Sequence, residues 1–133
     1  MEQIGINEFK KRVVDFLVRS TLSELPTKRK DKLIILKAIA LLFSKDCYTE
    51  KEVNEVIKDF LSVASGVNVD YVKIRRYLVD EEFLTREVDG SRYCKNEEAY
   101  ANLFEKEISD IDLKALIIEA QRDIKERRKK FQP

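Results

Sequence analysis

One short segment carries the side chains best suited to contact with a charged partner. Within residues 70–81, Lys73, Arg76 and Tyr77 share one side of a predicted helix. A guanidinium can make paired hydrogen bonds to guanine or phosphate, and an ammonium acts as a point charge toward phosphate. This face therefore predicts contact with DNA, although a helix face that is merely solvated explains the same pattern equally well.

Arg75 lies nearer the buried side of the same predicted helix. It has two equally supported roles, a DNA contact or an ion pair with a carboxylate such as Glu52 or Glu55. Three carboxylates at the end of this helix, residues 80–82, count against DNA contact because they repel phosphate.

Two further groups of basic residues lie outside this helix. Arg86 and Arg92 stand on either side of a predicted hairpin turn, where they reach a minor groove or pair across the strands with neighbouring acids. Lys28, Arg29 and Lys30 open another predicted helix, where each cation opposes the helix dipole by roughly 0.3–1 kcal/mol. A sequence that tolerates this cost could use the cluster to contact phosphate. A lysine-rich surface without a special role explains the cluster equally well.

Composition excludes most recognisable catalytic and metal sites. The chain has 133 residues, 44% of them hydrophobic and 38% charged, and no histidine. Histidine bases, Ser-His-Asp and Cys-His systems and imidazole metal sites are therefore excluded. The three glycines are scattered, so there is no phosphate-binding glycine loop. We expect a protein without catalytic activity, cofactor or metal site. Composition alone does not exclude catalysis by carboxylates or lysines.

The cysteines and the hydropathy pattern bear on the compartment. Cys47 and Cys94 are too few and too far apart for a zinc motif or a C-x-x-C redox pair. No segment reaches the ~18 consecutive apolar residues that a membrane span needs, and the N-terminal segment lacks an apolar run of signal-peptide type. We expect a cytoplasmic protein that avoids membranes and whose cysteines are reduced, buried side chains.

Hydrophobic periodicity predicts the helices that must position these residues. The low glycine and proline content predicts long helices and few turns. An amphipathic pattern predicts a helix over about residues 6–20, and the nearly continuous apolar run 33–43 predicts a buried core helix. Thr49 and Glu52 form a capping box at the start of a third helix.

The hydrophobic pattern changes at Phe83 from a period of 3.6 residues, typical of a helix, to a period of 2 residues, which indicates strands. Two short runs are joined by Asp89-Gly90, which predicts a two-residue hairpin turn with positive φ at both positions. Residues 47–48 would add a third short strand. Beyond the hairpin, Asn96 and Ser109 are expected to cap two further helices.

The order of elements predicts the fold class. Residues 30–95 run helix, short strand, helix, turn, helix, hairpin, which is the order of a winged helix-turn-helix. We predict a mainly α protein with a small β-hairpin, in which this unit is flanked by N- and C-terminal helices. The predicted divisions are an N-terminal helix (1–21), a winged-helix domain (22–95) and a C-terminal extension (96–133).

Three motifs in this central region carry a family resemblance. They are YTEKEVN at 48–54, DYVKIRRYLVD at 70–80 and DGSRY at 89–93. Together with LPTKRKDKLIILKAIALLF, they resemble over residues 22–95 an uncharacterised prokaryotic family, the domain of unknown function 2087. Members occur alone or attached to helix-turn-helix transcription regulators, so the resemblance implies a place in regulation without an established activity.

The sequence departs from the pattern of that family in two places. Cys94 stands where the family often has a tryptophan after the tyrosine of the wing. The segment LSVASGVN, residues 61–68, lengthens the turn before Asp70 and could change how the following helix is presented.

DNA binding in transcription regulation is the function that these features favour, and a non-catalytic protein-interaction module is the alternative. The net charge of +1 favours the alternative, because non-specific DNA affinity depends on the number of phosphates neutralised. A homodimer through the C-terminal helices would double the basic surface. An apolar stripe would either form that dimer or fold back on the N-terminal helix; it contains Leu113, Leu116, Ile117, Ala120 and Ile124.

Overall fold

The computed structural model describes residues 1–130, so the last three residues of the predicted extension lie outside the described residues. The helices are α1 (Ile6–Leu17), α2 (Arg29–Ala40), α3 (Glu50–Val63), α4 (Tyr71–Asp80) and α5 (Leu113–Lys130), with a 3₁₀ helix at Lys106–Asp110. The strands are β1 (Cys47–Tyr48), β2 (Leu84–Arg86) and β3 (Tyr93–Lys95). They form one antiparallel sheet in the order β1-β3-β2. The predicted fold class is confirmed.

Helix α2 is the centre of the core, as the apolar run predicts. Its apolar side chains are almost fully buried on nearly every side; they are Leu33, Ile34, Ile35, Leu36, Ala38 and Ile39. Asp31 in its first turn is also buried, and its Oδ1 accepts a hydrogen bond of 2.9 Å from Arg12 Nη1 of α1. A buried carboxylate is tolerated when it is paired in this way, so the ion pair also locks α1 onto α2.

Helices α3 and α4 begin at well-defined caps. The predicted capping box is present: Glu52 N–H donates to Thr49 Oγ1 at 3.2 Å, and Thr49 N–H donates to Glu52 Oε1 at 2.9 Å. Hydrogen bonds from the Lys45 side chain and the Thr49 backbone lower the pKa of Glu52 to about 2. Asp70 caps α4 by accepting from Val72 N–H at 2.9 Å.

The lengthened turn between α3 and α4 is held in place by the loop that follows α1. Leu22 N–H donates to Gly66 O at 2.9 Å, and Asn68 N–H donates to Leu22 O at 2.7 Å. A Cβ on Gly66 would lie only 2.8 Å from the carbonyl oxygen of Ser20, so this close approach requires glycine. The extra residues therefore fix the start of α4 against the rest of the chain.

The tip of the wing differs from the predicted two-residue turn. Glu87 N–H donates to Arg92 O at 2.9 Å, which leaves four residues in the loop, and Gly90 N–H donates to Glu87 O at 2.8 Å. Gly90 has a φ of 75°, but Asp89 does not have a positive φ. Asp89 instead accepts from Ser91 N–H at 3.0 Å, so the loop needs one left-handed residue and not two.

The expectation of reduced cysteines is wrong, because Cys47 and Cys94 form a disulfide. They are 47 positions apart in sequence but directly opposite each other in the β1–β3 ladder. The neighbouring pair is hydrogen-bonded, with Lys95 N–H donating to Asp46 O at 2.8 Å, so the cysteines occupy the closer, non-hydrogen-bonded position. The predicted third strand is confirmed, and its register brings the sulfurs together.

The segment after the wing is not the predicted pair of capped helices. Asn96 is followed by turns, and Tyr100 has a positive φ of 56°, which a helix cannot accommodate. The backbone near residue 104 pairs instead with the N-terminus: Ile4 N–H donates to Leu103 O at 2.6 Å, and Glu105 N–H donates to Ile4 O at 2.9 Å. Further on, α5 begins after Asp112 and not after Ser109, because Asp112 Oδ1 accepts from Ala115 N–H.

Helix α5 folds back on α1 and α3 of the same chain. Leu113 and Ile117 of its apolar stripe are fully buried there. Lys114 pairs with Asp59 of α3, and Gln121 Nε2 donates to Val63 O at 3.0 Å. Two of the five stripe residues are thus buried within the chain, whereas Leu116, Ala120 and Ile124 are only half-buried. Among residues 1–130, no helix combines the length and apolar character required to cross a membrane.

Cleavage of the disulfide should lower the free energy of unfolding by about 2–4 kcal/mol, because the bond closes a loop of 47 residues and so restricts the unfolded chain. Urea unfolding followed by circular dichroism, with and without reductant, measures this change. The Cys47→Ser/Cys94→Ser variant, which is insensitive to reductant, is the control. An unfolding midpoint in wild type that does not move on reduction would contradict the expectation.

Candidate nucleic-acid interface

The exposed face of α4 presents Lys73 and Arg76. Lys73 Nζ lies 3.2 Å from Glu24 Oε1, but both side chains are largely exposed, so this pair is weak. Among residues 1–130, no carboxylate oxygen lies within 4.0 Å of the Arg76 guanidinium. Since α5 packs chiefly on α1 and α3, both side chains stay accessible.

Arg75 forms an ion pair, but neither Glu52 nor Glu55 is its partner. Its Nη2 lies 3.0 Å from Glu50 Oε1, and its Nη1 donates to Asn54 Oδ1 at 2.6 Å. The Arg75 side chain is only 15% exposed. Its donors are therefore occupied in joining α4 to the first turns of α3, and Arg75 has a structural role.

Hydrogen bonds continue from this ion pair to the wing. The hydroxyl of Tyr93, a buried residue of β3, donates to Glu50 Oε1 at 3.3 Å and accepts from Arg86 Nε at 3.2 Å. We refer to the sequence Arg75, Glu50, Tyr93 and Arg86 as the polar chain. It sets the position of the wing relative to α4. Arg86 is exposed as a residue, and its guanidinium lies against Gly90 of the wing loop.

Tyr77 does not lie on the exposed face of α4. It is half-buried against the core, and the Lys32 ammonium lies 4.4 Å from the centre of its ring. A cation in this position is attracted to the ring face. The prediction that Tyr77 projects with Lys73 and Arg76 is therefore wrong, because Tyr77 packs between α4 and α2.

Arg92 is exposed at the base of the wing loop, beside the disulfide. Its Nη2 lies 3.3 Å from Cys47 Sγ. Sulfur is a weak acceptor, so this contact leaves the charge of Arg92 available to an external anion.

Arg29 is engaged in a polar cluster and is not free. It makes two hydrogen bonds to the Glu81 carboxylate, at 3.0 and 2.9 Å, and donates to the Tyr100 hydroxyl at 2.6 Å. Tyr100 in turn donates to Glu81 Oε2 at 2.6 Å. Burial would raise the pKa of Glu81, but the hydrogen bonds from Tyr100 and Arg29 outweigh it and lower this pKa. Glu81 therefore faces inward. Of the three carboxylates at residues 80–82 that are expected to repel phosphate, only Asp80 and Glu82 are exposed.

The other two basic residues at the start of α2 differ from each other. Lys30 Nζ lies 2.8 Å from Glu8 Oε2 of α1, and the hydrogen bond from Lys30 lowers the pKa of Glu8. Lys28 is exposed at the N-cap position of α2 and makes no side-chain cap. Carboxylates of the same chain thus offset much of the unfavourable charge at this helix start.

The predicted cations that are exposed and have no strong ion pair form the basic set: Lys28, Lys73, Arg76, Arg86 and Arg92. Arg29 is exposed too, but the Glu81 carboxylate holds its guanidinium. The other predicted residues, Arg75, Tyr77, Arg29 and Lys30, hold the fold together. Within the part of the chain that the structure describes, no cluster of three or more acidic or cysteine side chains could hold a metal ion.

Sequence reasoning missed the residues that hold Arg75. Glu50 and Asn54 stand four positions apart on α3, so they share one side of that helix. Their spacing is the signal that could have identified this pair as the surface facing α4.

The Glu81→Gln variant should lose about 1–2 kcal/mol of unfolding free energy near neutral pH, because a neutral amide accepts weaker hydrogen bonds from Arg29. The folded-state pKa of Glu81 lies below its usual 4.5. Its contribution is therefore complete above about pH 4.5 and is lost as the pH falls through the folded-state value.

Urea unfolding at about pH 7 and about pH 3 tests this dependence. The gap between wild type and Glu81→Gln should narrow in acid. Glu82→Gln, at the neighbouring exposed position, is the matched control and should change little. Equal losses in the two variants at neutral pH would show that the cluster does not act as described.

Comparison with known proteins identifies the family of the chain. No curated protein and no solved structure matches the chain. Residues 21–95 match a family described as "Uncharacterized protein conserved in bacteria (DUF2087)". This match covers more than half of the chain, and the chain therefore belongs to the DUF2087 family.

Proposed function

We propose that this protein binds DNA through α4 and the wing, acts in transcription regulation in the cytoplasm, and carries out no catalysis. The observation that carries the proposal is the accessible pair Lys73 and Arg76 on the helix that occupies the recognition position. No carboxylate oxygen lies within 4.0 Å of the Arg76 guanidinium among residues 1–130, so this group is available to a guanine edge or a phosphate.

The wing supplies the second contact in this proposal. The polar chain holds the wing beside α4, and Arg86 and Arg92 remain exposed on it. Two contacts from one rigid unit lose less conformational freedom on binding than two from flexible segments. Recognition would thus rest on a helix in the major groove with wing cations on the flanking backbone.

Dimerisation is a separate part of the proposal. A homodimer would double the basic set and match two half-sites. Because the buried residues of α5 already pack on α1 and α3, such a dimer would use the outer side of α5, where Ile118 is 45% exposed.

A protein-interaction module is the second candidate function. The observation that favours it is Val88, which is 98% exposed at the tip of the wing. An apolar side chain at that position suits an apolar pocket on another protein better than a phosphate backbone. The balance of 26 basic and 25 acidic residues also favours it.

Fluorescence anisotropy with a random-sequence duplex at about 50 mM salt tests DNA binding, and we expect a dissociation constant of about 1–100 µM. The Lys73→Ala/Arg76→Ala variant should bind about tenfold more weakly. The Lys10→Ala variant, which removes an exposed cation from α1, is the matched control and should bind as wild type does. Five phosphate contacts would give a log–log salt slope of about −4.5.

The same titration should be made with the disulfide intact and reduced, because cytoplasmic thiols are kept reduced. Val88→Ser should leave DNA binding unchanged. Absence of binding at low salt in both redox states would reject the proposal, as would equal losses in the double variant and the Lys10→Ala control.

A further inference from the structure

A cavity of about 560 Å³ lies where the winged-helix domain meets the chain that follows it. One wall is the C-terminal end of α2 with Leu41 and Phe43, and another is Phe83 before the wing. The third wall is the segment around Phe104, which the N-terminus holds in place. Cavities of this size accommodate small organic molecules.

Buried aromatic side chains form a rigid base beneath this cavity, and the half-buried Ala40 and Leu41 supply accessible apolar surface. Phe43, Phe83 and Phe104 are each at least 96% buried, so their positions are set by core packing. Such a surface favours the apolar body of a ligand and gives a small hydrated ion, such as inorganic phosphate, few partners.

The charged side chains around the cavity are mostly cations. Lys37, Lys95 and Lys106 line it, and Glu97 is the carboxylate among the lining residues. Glu97 Oε1 lies 3.1 Å from Lys95 Nζ, so that carboxylate is already paired. Among the lining residues, the balance of charge therefore favours an anion.

Lys37 is a half-buried cation of this group and, unlike Lys95, is not paired with Glu97. Within residues 1–130, no carboxylate oxygen lies within 4.0 Å of its ammonium, which is 5.7 Å from the centre of the Phe104 ring. Burial lowers the pKa of Lys37, Glu97 raises it and Lys95 lowers it, with a net lowering. Lys37 also stands in the last turn of α2, where a cation complements the helix dipole. This interaction with the helix dipole requires the charge of Lys37, but it does not occupy the hydrogen-bond donors of the ammonium, which can still bind an anion.

We propose that this cavity binds a small organic anion, with the anionic group on Lys37 and the apolar body against Ala40 and Leu41. The class includes aromatic and branched carboxylates. Binding is non-covalent, and the site is independent of the DNA-binding surface, so either proposal can fail without the other.

Thermal unfolding of the full chain at increasing concentrations of 4-methylbenzoate tests the proposal, because a ligand of the folded state raises Tm with concentration. We expect saturable binding with a dissociation constant of about 1 mM, typical of a ligand of this size. The neutral analogue 4-methylbenzamide should bind about tenfold or more weakly, since it cannot form the charge-assisted hydrogen bond.

Variants locate the site. Lys37→Met keeps the apolar stem and should weaken 4-methylbenzoate binding about tenfold, whereas Lys37→Arg should retain it. Lys10→Met is the matched control and should bind as wild type does. Ala101→Trp fills the cavity from an exposed position and should abolish binding without unfolding the chain.

Three outcomes would overturn the proposal. The first is no saturable rise in Tm with 4-methylbenzoate. The second is equal binding by Lys37→Met and Lys10→Met, which would leave Lys37 with its helix-terminal role alone. The third is equal binding of inorganic phosphate or of 4-methylbenzamide, which would remove the need for an apolar body or for a charge.

Discussion

The burial of α2 is the constraint on which the rest of the structure depends. An apolar helix of this kind must be covered on every side, and the residues of the family match do not cover it alone. Phe9, Val13 and Leu17 of α1 supply one layer, and Phe104 from the C-terminal extension meets Phe9 edge-to-face, with ring centres 5.9 Å apart. The two flanking segments are therefore part of the core, although they lie outside the matched residues 21–95.

The same constraint explains how the charges are used. Elements that pack around α2 bring cations and carboxylates together at their edges: Arg12 with Asp31, Lys30 with Glu8, and Arg29 with Glu81. The near-zero net charge thus reflects pairing within the fold. What remains for a partner is a small basic set on α4, the wing and the start of α2. Electrostatic contact with any partner would therefore rest on this small set.

Local patterns in the sequence predict most of the architecture. The buried helix follows from the continuous apolar run 33–43, the start of α3 from the Thr49/Glu52 capping box, and the wing from the change of period at Phe83. These features are determined by residues that are close in sequence, so periodicity and capping rules can predict them. The order of elements then predicts the position of α4.

What the sequence leaves undetermined depends on contacts between distant residues. Both strands that carry Cys47 and Cys94 are predicted, but the disulfide depends on their register, which no local signal sets. Arg75 pairs with Glu50 because α4 packs across the first turn of α3. Helical periodicity does not predict how two helices pack against each other. The helix expected after Asn96 is replaced by turns because the backbone of residues 103–105 pairs with Ile4, about a hundred positions earlier.

The proposed function requires that α4 and the wing act as one rigid surface that contacts DNA. The most direct measurement is the ¹H–¹⁵N spectrum of the full chain as a short duplex is added at low salt, including the arginine Nε–Hε signals. We expect the largest changes in residues 71–80 and 84–95, and we expect the Arg76 Nε–Hε signal to shift while that of the occupied Arg75 does not. Changes confined to α1 and α5, or none at all, would contradict the proposal.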